Sequence, residues 1–294
     1  MPEFETGPLD LPWSKNAYLL LNAANVPDLK RRIFEWEVSQ ACTMLFLQTR
    51  FSELLERSPA LIQIQGPHDP ILARFLAHAR EEWGLLLFSP ADRKTLVRHL
   101  RWLMFVEKPT GQTCYLNLSD ASVANALFSL HPAHIDNRIF GPIDQVYAAD
   151  KMTEQWRSHT RIGEAAPVDV NAVYRLNTKQ VEALGDAVFR LTVTHLDQHL
   201  RRFFPDYLAD APLRIRYQQV HALASSAYEK GFKSEVDTFH YANVMCFLAT
   251  EPDDAHPDIR KLLLDTSELT PSQRIEKANW LVVLHARQQE GTAQ

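Results

Sequence analysis

Gly84-Leu-Leu-Leu-Phe88, followed by Ser89-Pro90 and by Leu96, Leu100 and Leu103, is the stretch that decides the fold. An uninterrupted apolar run suits a strand covered on both faces. The Ser-Pro step predicts a helix start, with a capping hydroxyl and a proline at the first helical position. The three leucines then recur on one helical face. Strand followed by helix is also the pattern of the neighbouring sequence. Ala17–Leu21, Thr43–Leu47 and Ala60–Ile64 read as strands. Between them lie a helical stripe at Leu29, Ile33 and Trp36, a short helix over Phe51–Arg57, and a helix opened by Asp69-Pro70. Met104–Glu107 and Thr113–Leu118 flank the turn Lys108-Pro-Thr-Gly-Gln112 and predict a hairpin. A helix carrying Val123, Leu127 and Leu130 and a short strand at Gln145–Ala148 complete this half. The expected fold is an α/β (α+β) N-terminal domain with a mixed sheet.

From Thr178 onward the periodicity is helical. Val181, Leu184, Val188 and Leu191 predict one inward face, and Pro212 and Ser234 open two further helices. Gly231 is placed to end the helix that Pro212 opens, and Thr270-Pro-Ser-Gln273 reads as a capping box for the last. The organisation expected is a flexible tail over 1–15, the α/β domain over 16–150, a polar linker over 151–177 and an all-α helical-bundle C-terminal domain over 178–290.

Composition narrows the function. The 294 residues carry a net charge of −5, which argues against non-specific nucleic-acid binding. The nine glycines are scattered, the closest pair being Gly66 and Gly84, so no loop can cradle a phosphate or a dinucleotide. Three separated cysteines, Cys42, Cys114 and Cys246, read as core thiols of a reducing compartment. The acidic start and the lack of a long apolar run predict a cytoplasmic protein with no membrane segment. No Gly-x-Ser-x-Gly elbow is present. His195 and His199 have the i, i+4 spacing of zinc ligands, but without a third partner they read as interface histidines. No catalytic residue, cofactor or metal is expected.

An ordered series of short motifs adds to this reading: Tyr18-Leu-Leu-Leu-Asn-Ala-Ala24, Leu45-Phe46, Ser58-Pro-Ala-Leu-Ile62, Trp83-Gly-Leu-Leu-Leu-Phe-Ser89, Leu96-Val-Arg-His-Leu-Arg-Trp102 and Phe140-Gly-Pro142. The series resembles the type VI secretion effector adaptors or chaperones (the Tap/Tec group), a family long described as a domain of unknown function. The resemblance covers roughly residues 16–150. It implies a non-enzymatic cytoplasmic protein that binds a cognate toxin effector and loads it onto the VgrG spike. Family members usually carry an Arg shortly before an aromatic-Asp-Pro step. Here Asp120 is retained, while Asn117, Ser119 and Ala121 stand for the Arg, the aromatic residue and the Pro.

Partner-binding candidates follow from residue chemistry. Lys94, Arg98 and Arg101 form a basic stripe opposite the leucine face and could speed encounter with an acidic partner. Arg201, Arg202, Phe203, Phe204 and Tyr207 combine the residue types enriched at binding hot spots. Trp156, in the expected linker, is a further candidate. Two alternatives stand beside the adaptor: a two-lobe hydrolase-type enzyme using His195, His199 or His134, and an immunity-type protein that neutralises a toxin.

Overall fold

A computed structural model describes residues 4, 7–8, 10–38, 41–131, 134–252, 254–264 and 268–292. The chain divides into two compact units, 1–187 and 188–294.

The first unit is built on a six-stranded sheet: β1 (Asn16–Leu21), β2 (Cys42–Met44), β3 (Ala60–Ile64), β4 (Gly84–Ser89), β7 (Gln145–Asp150) and β8 (Gln155–Thr160). The spatial order is β2-β3-β1-β4-β7-β8, with every neighbouring pair antiparallel. The mixed pairing lies in a second, three-stranded sheet. There β5 (Phe105–Glu107) pairs antiparallel with β6 (Thr113–Tyr115) and parallel with β9 (Tyr174–Arg175).

Alternation along the central strands feeds two cores. Tyr18 and Leu20, with Leu85, Leu87, Val146 and Ala148, face one cluster. That face is covered by α3 (Arg93–Leu103) through Leu96, Leu100 and Leu103, by α4 (Ala121–Phe128) through Ala124 and Leu127, and by the short α5 (Asn137–Phe140) through Ile139 and Phe140. Leu19 and Leu21, with Leu86, Phe88 and Tyr147, face the other. Here α1 (Leu29–Glu35) and α2 (Pro70–Ala77) supply Leu29, Ile33, Ile71, Leu72 and Phe75. Continuous apolar strands are thus the sequence form of a sheet held between two helical layers.

Several local expectations shift. Helix α3 starts three residues beyond the Ser89-Pro90 step. Asp92 is its cap, accepting from the Thr95 amide at 2.8 Å, while the Ser89 hydroxyl is spent on the Pro142 carbonyl at 2.6 Å. Residues 151–177, read as a linker, contain β8 and β9. Strand β8 is the end strand of the described sheet, and most of its residues apart from Trp156 and His159 stay at least partly exposed, so its pattern is largely polar, while β9 is too short to show a period. Trp156, on β8, is 1% exposed and packs on Phe75 with ring centroids 5.6 Å apart. It is a core residue, and its placement removes it from any contact surface.

Helix α6 (Thr178–Phe203) spans the boundary between the units. Val181 and Leu184 pack on the first unit's core, whereas the stripe buried in the second unit is Val193, Leu196 and Leu200. Val188 and Leu191, expected on the inner face, are exposed. A helix serving two cores has two stripes, and one extrapolated period cannot describe both.

The second unit continues with α7 (Leu213–Glu229), α8 (Glu235–Leu248), α9 (Pro257–Leu264) and α10 (Pro271–Thr292). Ala242 and Cys246 of α8 join α6 and α7, while Tyr241 and Val244 join Ile259, Ile275 and Val282 of α9 and α10. The Ser234–Asp237 capping box starts α8, and the reciprocal Thr270–Gln273 bonds start α10.

Two buried histidines brace the first unit. His99 Nε2 lies 3.1 Å from the Ile139 carbonyl, and His159 Nε2 lies 2.9 Å from Asn125 Oδ1. Gly141, at φ 51° and ψ −120°, closes over the His99 ring so tightly that a Cβ there would sit 2.3 Å from it. Gly141→Ala should therefore cost about 2–4 kcal/mol through strain and overlap, read by chemical denaturation. Burial pushes both imidazole pKa values down from 6.5 to about 4. The rings are neutral when folded but take up protons below about pH 6.5 once unfolded. Their contribution is therefore complete above that pH and is lost as pH falls toward about 4. Urea unfolding between pH 7 and pH 5 should show stability declining by up to about 2.7 kcal/mol per pH unit. A flat profile over that range would contradict neutral burial.

Candidate binding groove

A groove of about 540 Å³ opens in the first unit, walled by three segments. Asn22, Ala23 and Ala24 follow directly from β1. Phe46, Phe51, Leu54, Arg57 and Pro59 come from the connection between β2 and β3. Phe105, Tyr115 and Asn117 come from the β5–β6 hairpin and the residues after it.

Local chemistry shapes each wall. In the β2–β3 connection, the Phe46 amide donates to the buried Ser58 hydroxyl at 2.9 Å, and the Thr49 hydroxyl donates to the Phe46 carbonyl at 2.7 Å. These bonds fold the segment back so that the 3-10 turn at Ser52–Arg57 presents Leu54 outward. In the hairpin, register places Phe105 directly opposite Tyr115, with ring centroids 5.7 Å apart. Phe51 stacks on Phe105 at 4.8 Å, and Phe46 lies 5.7 Å from Phe51 and 6.1 Å from Tyr115. Four aromatic rings from four sequence positions thus form one apolar surface. Leu54 and Tyr115 remain 48% and 44% exposed at its rim.

The polar groups are few. The Arg50 guanidinium sits over both Phe51 and Phe105, at 4.8 and 4.4 Å from their centroids. Asn117 donates to Asn22 Oδ1 at 3.4 Å and accepts from the Ser119 hydroxyl at 2.6 Å. The Asn22 side-chain Nδ2 is buried with no hydrogen-bond partner among the described residues. Burial pushes the Tyr115 hydroxyl up to about 12, so it stays protonated at neutral pH. Among the lining residues Arg57 is the one charged side chain. Apolar contact flanked by two guanidinium groups suits recognition of an apolar segment with nearby carboxylates.

The residues singled out from sequence have varied fates. Lys94 and Arg98 are exposed on α3. Arg101 instead turns into the fold, donating from Nε to the Leu45 carbonyl at 2.9 Å and from Nη2 to that of Leu47 at 2.6 Å. It holds the backbone on either side of Phe46, so it builds the groove wall and does not extend the basic stripe. In the second unit Arg201, Arg202 and Phe203 are exposed, Phe203 at 58%, whereas Phe204 and Tyr207 fold against the α6–α7–α8 core. Buried Arg216 secures that fold by donating to the Tyr207 and Leu208 carbonyls at 2.8 and 2.9 Å. His195 Nδ1 meets Glu235 at 2.6 Å and His199 Nε2 meets Asn243 at 2.7 Å, so the two rings engage separate partners. Burial pushes the Cys42 and Cys246 thiols up to about 12 and 11, which suits unreactive core positions. Asp120 caps α4 through the Ser122 and Val123 amides, and Ala121 is the first residue of that helix, a position that accepts proline.

Sequence reasoning missed the aromatic quartet. Its members lie in short or irregular segments whose period carries no signal, and only the pairing of the hairpin with the β2–β3 connection unites them.

Residues 17–136 match the family model described as Domain of unknown function (DUF4123). Over 288 residues the chain is also 27% identical to Accessory protein VasW of Vibrio cholerae serotype O1, covering 95% of this chain and 92% of the relative. No solved structure matches. No helix among the described residues is long and apolar enough to cross a membrane.

If Arg101 supports the groove wall, Arg101→Ala should cost about 1–3 kcal/mol by stranding two carbonyls. Arg98→Ala should change stability by less than about 0.5 kcal/mol. Paired thermal melts check the difference, and equal effects would refute the assigned role.

Proposed function

We propose that this chain, carrying a domain of the type VI effector-adaptor family, is a cytoplasmic, non-enzymatic adaptor that binds a cognate toxin effector and loads it onto a VgrG spike. The aromatic groove is the observation that carries this reading. It offers exposed apolar surface at Leu54 and Tyr115, two nearby cations, and no acid–base couple or nucleophile among its lining residues. Such a surface suits a client's apolar segment, which gains stability by leaving water. Binding of this kind stabilises the loading-competent effector by linkage, and no covalent step is needed. Arg50 and Arg57 meet carboxylates beside that segment. Lys94 and Arg98 act at longer range, raising the rate of encounter with an acidic partner.

The test is co-expression with a candidate toxin effector and a VgrG protein from the same genome, followed by size-exclusion chromatography and binding kinetics. A ternary complex is expected. Leu54→Asp with Tyr115→Ala should weaken effector binding about tenfold or more, mainly through faster dissociation. Lys94→Glu with Arg98→Glu should slow association at low salt and lose its effect at high salt. Undiminished affinity in the groove variant would sink this site. Neutralisation of the toxin without VgrG engagement would assign an immunity role, and substrate turnover would assign an enzyme.

A further inference from the structure

Helices α9 and α10 bring together side chains that neither the sequence motifs nor the adaptor reading uses. One potential ligand atom from each of His256, Asp258 and His285 lies within 4.8 Å of the other two. We propose that these residues form a binding site for a divalent first-row transition metal, with zinc(II) the expected ion, which cross-braces α9 to α10 in the second unit. The reading departs from the expectation of a metal-free chain and is independent of the adaptor role.

The placement follows from packing. Ile259 and Leu263 of α9 share a core with Ile275, Ala278 and Val282 of α10. His285 lies three residues beyond Val282 and so falls on the same face of its helix. His256 and Asp258 precede Ile259 at the start of α9. The packing that joins the two helices therefore brings two imidazoles and a carboxylate from separate segments to one point. The His256 and His285 rings are 4.5 Å apart, and both rest near Phe247, at 5.0 and 6.5 Å.

The surroundings are those of a built site. His256 is in the left-handed backbone region at φ 54°, which costs a non-glycine residue about 1 kcal/mol or more. Arg260 holds the loop in front of it, donating to the Ala255 and Pro252 carbonyls at 3.0 and 3.2 Å. Glu251 Oε2 lies 3.3 Å from His256 Nε2, with both side chains largely buried. That is the carboxylate–imidazole pairing that orients metal-ligating histidines.

Two histidines and one carboxylate suit zinc and its first-row neighbours, whose bonds to such donors are about 2.0–2.2 Å long. Tetrahedral ligation at that length needs donor atoms about 3.4 Å apart. Exposed Asp258 can close the remaining distance by side-chain rotation. The fourth position is left to water. A bound ion replaces weak contact between two rings with three bonds across the α9–α10 junction.

The experiment uses the full chain, stripped with chelator and titrated with zinc(II) by calorimetry, and with cobalt(II) by visible absorption. One saturable equivalent is expected, with the intense d–d bands of four-coordinate cobalt and a rise in melting temperature on adding zinc. Asp258→Asn and His285→Asn should each weaken binding by about tenfold or more and abolish the cobalt bands. His195→Asn with His199→Asn should leave both unchanged. Circular dichroism of the metal-free variants establishes that they fold. Absence of saturable binding overturns the site. So does one-equivalent binding that survives Asp258→Asn and His285→Asn, or that the His195 and His199 pair removes instead.

Discussion

Strand β1 has no exposed face, and the first unit is organised around that constraint. Its residues Tyr18, Leu19, Leu20 and Leu21 are almost wholly buried, with β3 on one side and β4 on the other. Because side chains alternate, burying all of them requires an apolar layer both above and below the sheet. Truncating one such leucine to alanine would remove about 2–5 kcal/mol, a large share of the stability of a domain. Close approach matters as much as apolarity. Gly84 faces Leu21 across the β1–β4 ladder, where a Cβ would lie 2.0 Å from the Leu20 carbonyl oxygen. The glycine that opens β4 is what allows the two central strands to meet.

With both sheet faces committed to the core, a partner can be offered only edges, loops and helix exteriors. The aromatic groove is one such place. It stands on the rigid layers through hydrogen bonds at its base, donated by Arg101 to the Leu45 and Leu47 carbonyls and by the Phe46 N–H to the Ser58 hydroxyl. Rings fixed from behind lose little freedom when they bind, which is how a small apolar surface gains affinity. Arg101 also shows the limit of treating charge as surface. Its stem and head are used in construction, whereas Lys94 and Arg98 on the same helix remain in solvent.

Much of the scaffold was legible in order and type. The buried strands at Ala17–Leu21, Ala60–Ile64 and Gly84–Phe88, the Asp69-Pro70 helix start and the Thr270 capping box all reappear. In each case one strong local signal coincides with the tertiary demand. Legibility failed where one element serves two environments. Helix α6 turns different stripes to two cores, so the Val188–Leu191 extrapolation points to solvent. Strand β8 is half polar because it lies at the sheet edge, and its Trp156 looked like a linker tryptophan until Phe75 covered it. The site was the least legible part, because Phe46, Phe51, Phe105 and Tyr115 belong to segments without a usable period.

The sequence by itself determined the alternation of apolar strands and amphipathic helices, the helical second half, the scattering of the glycines, and the match of residues 17–136 to a family model. These depend on local spacing and residue type, which a linear string records. Tertiary structure alone decided strand order, the all-antiparallel main sheet, the capture of β9 by the hairpin, the groove and the His256–Asp258–His285 cluster. Each of these joins residues far apart in the chain. Such encounters are set by which faces can be buried together, and no local period encodes that choice.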